Sequence, residues 1–248
     1  MVRTAIIPGF ADDDPIQSNI ERIDDGVYAG VETGVSLALS DVLSDSLAET
    51  ELTVPSIMTG FEAVRGPSQE LLNACDAVDC HRVVLGYLPE SHFVSPDVAS
   101  ETARTLSECV DELAAHGITL CYHNHDHEFV DFDDRTAFET FVDRLDNRIQ
   151  FEVDVAWVGV GGESPAEFIE TYGDRIPSIH LKDMDFEREA FVPLGEGDLD
   201  LNGVIEAAIE QDVDWLIYED ERECPVRDKI DHGSAVLEEY ASRDEVIL

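Results

Sequence analysis

The feature that most constrains the fold is a regular alternation of two residue patterns. Short apolar runs typical of buried parallel strands, such as residues 82–89 (RVVLGYLP) and 149–157 (IQFEVDVAW), are each followed by a segment with the apolar spacing of an amphipathic helix. This unit occurs eight times along the 248 residues. Eight strand–helix units in about 250 residues are typical of a (β/α)8 TIM barrel.

We therefore predict an α/β protein with one TIM-barrel domain over residues 1–248, because no linker rich in Pro, Gly or Ser divides the chain. A doubly wound sheet is the alternative fold. It usually has fewer strands and a GxGxxG turn, and the sequence contains no such turn.

The charge balance is strongly acidic, with 56 Asp and Glu against 15 Lys and Arg, a net charge of −41. The acidic residues are spread along the whole chain, which favours a hydrated surface adapted to high salt over a docking patch for a basic partner. A nucleic-acid partner is disfavoured, because no basic stripe is present to neutralise phosphates.

The cysteines and the apolar runs predict a reduced, cytoplasmic protein. Five cysteines without CxxC spacing indicate free thiols and not a disulfide framework or a zinc knot. The first residues lack the apolar run of a signal peptide, and no stretch approaches the ~18 apolar residues of a membrane helix. We expect no membrane partner, and a homo-oligomer remains open.

Strand parity predicts a set of ionisable side chains inside the barrel. Alternate residues of a barrel strand face the interior, and TIM-barrel active sites lie at the C-terminal ends of the strands. On the fifth to eighth predicted strands, bulky apolar residues alternate with polar ones, and the second strand adds one more acid. The inward set comprises Glu32, His123, His125, Glu152, Asp154, His180, Lys182, Glu219 and Glu221.

Three of these residues predict a metal site. Asp154, His180 and Glu219 end successive strands, and carboxylates with an imidazole suit Mn²⁺, Co²⁺ or Mg²⁺, with Zn²⁺ as a further option. Without a cation the carboxylates would repel one another. Lys182 is one of only two lysines, which favours a chemical role over an ion pair with Glu152 or Asp183.

Five motifs then resemble the sugar phosphate isomerase/epimerase family of xylose isomerase-like TIM barrels, which also includes keto-sugar 3-epimerases, inosose dehydratases and endonuclease IV-type nucleases. The resemblance covers about residues 80–223. The motifs are YHNHDHEF (122–129), FEVDVAW (151–157), IHLKD (179–183), PLGEGDLDL (193–201) and LIYEDE (216–221).

The resemblance implies a metal held by Glu, Asp, His and Glu from the fifth to eighth strands. The last three correspond to Asp154, His180 and Glu219, whereas the first position falls on His123. Glu128 is the rival first ligand or else a carboxylate that contacts the substrate. Glu32 and Trp157 are also expected to contact the substrate. For Trp157, a ring on which the sugar stacks and a cover over the hydrophobic core are equally consistent with the sequence.

The implied activity is isomerisation or epimerisation of a sugar, keto-sugar or sugar phosphate through an enediolate. Glu219 would be the base, with His125 or Lys182 as the acid. Because His123 replaces a carboxylate, a dehydratase or lyase on a keto-sugar or inosose is the second hypothesis. A phosphodiesterase related to endonuclease IV and a non-catalytic sugar-binding barrel are less favoured. Arg188 and Arg222 are the only candidates near the site for binding a phosphate.

The acidic surface predicts that folding stability rises steeply with salt, because molar salt shortens the range of charge repulsion to about 3 Å. Thermal unfolding and refolding yields in dilute buffer and in molar KCl measure this dependence. A chain that is equally stable in both would contradict the prediction.

Overall fold

The computed structural model describes residues 2–9 and 15–241, and nine of its strands form one parallel sheet that nearly closes into a barrel. The sheet order is β2-β1-β13-β10-β9-β6-β5-β4-β3. The strands are β1 (Arg3–Ile7), β2 (Gly30–Val31), β3 (Thr33–Gly34), β4 (Ile57–Thr59), β5 (Arg82–Leu85), β6 (Thr119–His123), β7 (Asp131–Phe132), β8 (Arg135–Thr136), β9 (Gln150–Asp154), β10 (Ser178–Leu181), β11 (Asp183–Asp185), β12 (Ala190–Val192) and β13 (Trp215–Glu219).

The barrel closes through the second strand pattern, which is split into β2 and β3 by one residue, Glu32. β2 pairs with β1, and β3 pairs with β4, so the two ends of the sheet belong to one continuous segment. Counted in this way, the barrel has eight strands, and the predicted α/β TIM-barrel fold is confirmed. Two short antiparallel hairpins, β7–β8 and β11–β12, lie outside the barrel sheet.

The helices follow the strands in the expected order, and several begin at residues that favour a helix start. Ser68, Ser95 and Ser164 each accept a hydrogen bond from the first turn of the helix that follows. The helices are α1 (Ile16–Asp24), α2 (Val35–Ala38), α3 (Asp41–Leu47), α4 (Phe61–Arg65), α5 (Gln69–Ala77), α6 (Pro96–Ser107), α7 (Val110–Ala115), α8 (Ala137–Val142), α9 (Val155–Val160), α10 (Pro165–Tyr172), α11 (Leu201–Glu210) and α12 (Val226–Ala241), with 3-10 turns at Glu90–His92, Asp126–Phe129 and Gly173–Arg175.

Within these described helices, none combines the length and the apolar character that crossing a membrane requires.

Apolar side chains fill the layer between the sheet and the helices and also the lower part of the barrel. On β6, Leu120 and Tyr122 belong to the large core cluster, and His123 alternates with them on the other side of the strand. A separate buried cluster of Ala5, Trp215 and Ile217 lies at inward positions of β1 and β13. The interior is therefore apolar near the N-terminal ends of the strands, which leaves the C-terminal ends for polar groups.

Glu128 is buried on the helix side of β6. The Tyr122 hydroxyl donates to Glu128 Oε1 at 2.5 Å, and the backbone N–H of His125 donates to the same oxygen at 3.2 Å. The Tyr122 ring packs against Phe141 of α8, with 5.0 Å between centroids. Burial raises the pKa of the Glu128 carboxyl well above its ordinary value. Its two hydrogen bonds lower the pKa, but by less.

We predict that Glu128→Gln makes folding stability less dependent on pH. The unfolded glutamate ionises above about pH 4.3, whereas the buried carboxyl stays protonated to a higher pH. The wild type is therefore destabilised as pH rises from the unfolded pKa towards the raised folded pKa, by about 1.4 kcal/mol for each unit between them. Glutamine keeps the accepting oxygen and does not ionise, so the variant should be the more stable protein at about pH 8.

Urea unfolding at constant molar salt, from about pH 5 to about pH 8, measures this difference. Glu139→Gln is the matched control, because Glu139 accepts from the Thr136 N–H at 2.8 Å in a similar turn but is exposed. Parallel stability curves for the wild type and Glu128→Gln would contradict the prediction.

Candidate active site

The C-terminal ends of four neighbouring strands, β6, β9, β10 and β13, bring the predicted ionisable residues together. The strand register sets His123 of β6 beside Glu152 of β9, and His180 of β10 beside Asp154 of β9. All four side chains are buried. Glu219, at the end of β13, is 18% exposed and forms the upper edge of the group.

His180 is the centre of this group and has no exposed surface. Its Nε2 atom lies 2.7 Å from Glu32 Oε2 and 3.1 Å from Glu152 Oε1, and its Nδ1 atom lies 3.1 Å from Glu219 Oε2. Burial alone lowers the pKa of an imidazole, but the charges of Glu152 and Glu32 raise the pKa of His180 well above its ordinary value. The imidazole therefore contacts three carboxyl groups through its two nitrogens.

Glu32 and Glu152 form the floor beneath His180. Ser56 donates to Glu32 Oε1 at 2.5 Å, and Ser178 donates to Glu152 Oε2 at 2.9 Å. Burial and then the charge of Glu152 raise the pKa of Glu32, whereas His180 and His123 lower the pKa of Glu152 against the effect of burial.

Glu32, which we predicted to contact the substrate, lies deeper in the barrel than the other predicted site residues. Its side chain is fully buried and its carboxylate is bound to His180 Nε2. From this position it orients the imidazole and leaves the Nδ1 atom facing Glu219. Strand parity predicted that the Glu32 side chain points into the barrel, but it could not predict how far the carboxylate lies below the open end.

Lys182 lies nearer the open end of the barrel than His180, and its ammonium group contacts the carboxylates there. Its Nζ atom lies 2.9 Å from Asp154 Oδ2 and 2.7 Å from Glu219 Oε2, and it also contacts the Glu221 carboxylate. Burial alone would lower the pKa of Lys182, but these three carboxylates raise its pKa above the ordinary value. Its partners therefore differ from the two residues, Glu152 and Asp183, that the sequence suggested for an ion pair.

Asp154 is held in a fixed orientation by its neighbours. Its Oδ1 atom accepts from the N–H groups of Ala156 and Trp157, at 3.0 and 3.2 Å, and so caps α9. The Asn124 side chain accepts from the Asp154 N–H at 2.9 Å and donates to the Asp154 carbonyl at 3.1 Å. The remaining oxygen, Oδ2, faces His123 Nε2 at 3.7 Å.

Two overlapping groups in the described ranges, 2–9 and 15–241, have the composition and spacing of a metal site. One is His123, Glu152 and His180; the other is Asp154, His180 and Glu219. Within each group the ligand atoms lie within 4.8 Å of one another. Three buried ligand atoms, His123 Nδ1, Glu152 Oε1 and Asp154 Oδ2, make no hydrogen bond of good geometry with the described residues. Their closest charged neighbours are one another, His180 and Lys182. Carboxylate and imidazole atoms at this spacing fit a divalent cation.

The two rival first ligands, His123 and Glu128, lie at different places relative to these groups. His123 belongs to one group, and its ring lies 4.7 Å from that of His180 between centroids. Glu128 belongs to neither group, because its carboxylate is bound to Tyr122 outside the barrel interior.

Aromatic side chains line the upper part of the site. His125 stacks on Trp157 at 5.9 Å between centroids, and Tyr87, which is 53% exposed, contacts His125 edge-on at 4.9 Å. Lys182 Nζ lies 5.4 Å from the Trp157 ring and 5.5 Å from the Phe191 ring. Burial and then the charge of His123 lower the pKa of His125 to about 3, so its ring is neutral at neutral pH.

Sequence reasoning missed the groups that support the cluster. The two serines, Ser56 and Ser178, occupy inward positions but are too common in strands to be noticed. Asn124, which follows the last inward residue of β6, holds the Asp154 backbone through two hydrogen bonds. Glu221 was placed in the inward set by its parity with Glu219, but its contact with Lys182 was not predicted.

Comparison with known proteins identifies the family and the fold. The family model for xylose isomerase-like TIM barrels matches residues 62–240. No curated protein matches the sequence. The structure of a sugar phosphate isomerase/epimerase from Parabacteroides distasonis superimposes with a TM-score of 0.77 at 14% identity, covering 98% of this chain and 99% of that one.

Two further structures are similar. The probable 3-DHS dehydratase AsbF from Bacillus anthracis gives a TM-score of 0.76 at 13% identity, with 96% of this chain and 99% of that one covered. The 3-keto-D-glucoside 4-epimerase YcjR from E. coli gives 0.69 at 15% identity, with 96% and 100% covered. At such identities these structures share the fold alone. The family model covers more than half of the chain, and the protein therefore belongs to the xylose isomerase-like TIM barrel family.

Proposed function

We propose that this protein is a divalent-metal-dependent isomerase or epimerase of a sugar, keto-sugar or sugar phosphate. The observation that carries the proposal is the convergence of buried ligand atoms in the two overlapping groups that contain His123, Asp154, His180 and Glu219. These four residues would hold the metal. When bound, the cation would polarise the substrate carbonyl and stabilise the negative charge that develops on its oxygen.

Glu219 is the proposed base. Burial opposes its ionisation, but hydrogen bonding to His180 and the charge of Lys182 lower its pKa, so it is ionised at neutral pH. It is also the one proposed ligand with exposed surface, and a substrate can reach it from the open end of the barrel. Removal of a proton beside the substrate carbonyl would give the enediolate that isomerases and epimerases share.

Lys182 is the proposed acid. It stays charged, whereas His125 is neutral at neutral pH and a nearby metal cation would lower its pKa further. His125 is better suited to a hydrogen bond with a substrate hydroxyl. Because Lys182 and Glu219 are 2.7 Å apart, their ion pair has to separate when the substrate binds, and Glu221 offers Lys182 a second carboxylate on that path.

Dehydration of a keto-sugar or cyclitol is the second candidate reaction. The contact between Lys182 and Glu219 favours it, because an acid and a base on one side of the cavity suit loss of a proton and a hydroxyl from adjacent carbons. The fold likeness to the probable 3-DHS dehydratase is compatible with this reaction.

We predict that Asp154→Asn weakens binding of Mn²⁺ or Co²⁺ by at least about 10-fold, because a neutral amide replaces an anionic ligand. Asparagine also caps helices, so α9 should be preserved. Isothermal titration calorimetry on chelator-treated protein measures the affinity, and circular dichroism checks the fold. The control is Glu221→Gln, which removes one charge from the rim and belongs to neither metal group. Equal affinities of the two variants would contradict the proposed ligand set.

We predict that the metal-loaded protein exchanges one carbon-bound proton of its sugar substrate with solvent, and that Lys182→Met lowers turnover by about 10²- to 10⁴-fold. NMR spectra of candidate aldoses, ketoses and keto-sugars in D₂O measure both effects. Deuterium incorporation without loss of a hydroxyl supports isomerisation or epimerisation, whereas loss of water supports the dehydratase. Turnover of abasic DNA at high salt, or binding of a sugar with no exchange, would contradict the proposal.

A further inference from the structure

The loop that follows β10 contains an internal anion. The Asp183 carboxylate is buried and accepts backbone N–H bonds from Met184, Gly195, Gly197 and Leu199, at 2.9, 2.9, 2.9 and 3.2 Å. Glycine is required at position 197, because a Cβ atom there would collide with the Asp183 carboxylate and lie 2.6 Å from the Met184 carbonyl oxygen. The loop is therefore folded around its own carboxylate.

This arrangement affects phosphate binding directly. TIM barrels that bind phosphorylated substrates commonly hold the phosphate with backbone N–H groups of the loops after the seventh and eighth strands and the N-terminus of a short helix. Here β10 is the seventh barrel strand, and Asp183 already occupies these four donors of its loop. The helix after this loop, α11, is also capped internally, because Asp200 accepts from the Gly203 N–H at 3.1 Å.

The arginines near the site are bound to carboxylates. Arg222, after the eighth barrel strand β13, donates through Nε and Nη2 to Asp220, with a shortest distance of 2.7 Å. Arg188 donates to Asp185 at 2.7 Å, and its side chain is 80% exposed. The two residues that the sequence suggested as a phosphate clamp are therefore each neutralised by a neighbouring acid.

The charge at the open end of the barrel is unfavourable for a phosphate. The one lysine among the described residues of the cavity, Lys182, is shared by Asp154, Glu219 and Glu221. A phosphate dianion at the rim would face the Glu221 carboxylate, which belongs to neither metal group and shares Lys182 with two other acids, and like charges at contact cost several kcal/mol.

From these observations we infer that the substrate is an uncharged sugar or keto-sugar without a phosphate group, recognised through hydroxyl groups and a ring face. Trp157 and Tyr87 supply aromatic surface for the ring, and His125 and Glu221 supply hydrogen-bonding groups for hydroxyls. The inference rests on the proposed function and narrows it, since it removes sugar phosphates from the range of substrates.

The test compares each sugar with its own phosphate ester on the metal-loaded protein. For a sugar found to be turned over, kcat/KM for the free form should exceed that for the phosphorylated form by at least about 100-fold, the factor expected from several kcal/mol of like-charge repulsion. Arg188→Gln and Arg222→Gln should leave both values unchanged, because neither arginine is available to a substrate phosphate. A higher kcat/KM for the phosphorylated form, or a selective loss of it in either variant, would overturn the inference.

Binding is measured separately, so that failure of the proposed function remains distinguishable. Saturation-transfer NMR at constant ionic strength compares D-fructose with D-fructose 6-phosphate, and inorganic phosphate is titrated as a third probe. If no sugar is turned over, the proposed function is wrong. The inference then stands if the phosphate group adds no affinity, and it is overturned if fructose 6-phosphate binds more tightly than fructose or if inorganic phosphate displaces fructose.

Discussion

The contacts of His180 with three carboxylates hold the interior of the barrel together. Glu32, Glu152 and Glu219 come from three different strands, and each lies within 3.1 Å of an imidazole nitrogen. Buried charges are tolerated only when they are paired and hydrogen-bonded, because removing them from water costs several kcal/mol for each ion. The serines below the cluster and Lys182 above it supply the remaining partners. The polar interior is therefore one connected network and not a collection of separate pairs.

This network links the proposed metal site to the surface that would bind a substrate. One carboxylate, that of Asp154, both faces the cluster and starts α9, and the first turn of α9 carries Trp157. The neighbouring strand end holds the same residue through Asn124. Ligand and aromatic surface are thereby fixed relative to each other by short contacts, the kind of preorganisation that catalysis by positioning requires.

The site treats charge differently from the surface. The whole chain has 56 acids against 15 bases, and most of these acids lie on the surface in contact with water. Inside, each carboxylate of the cluster lies beside an imidazole, an ammonium or a hydroxyl. In the loop after β10, the buried Asp183 carboxylate is likewise satisfied, because backbone N–H groups donate hydrogen bonds to it and no arginine is needed. The chain has few cationic residues, and in the interior Lys182 and the imidazole of His180 lie beside the buried carboxylates.

The sequence alone determined the barrel and the direction of its inward side chains. Alternation of strand and helix patterns and the two-residue period of a strand are local properties, so eight units could be counted and His123, Asp154, His180 and Glu219 could be assigned to one face. How deeply each side chain is buried, and which residues it contacts, depended on the tertiary structure. The 3-10 turn at Asp126–Phe129 carries Glu128 to the helix side of β6, although it is only five residues from His123. Glu32 lies beneath His180 because strands 148 residues apart in the chain meet across the barrel, and no local pattern encodes such a contact.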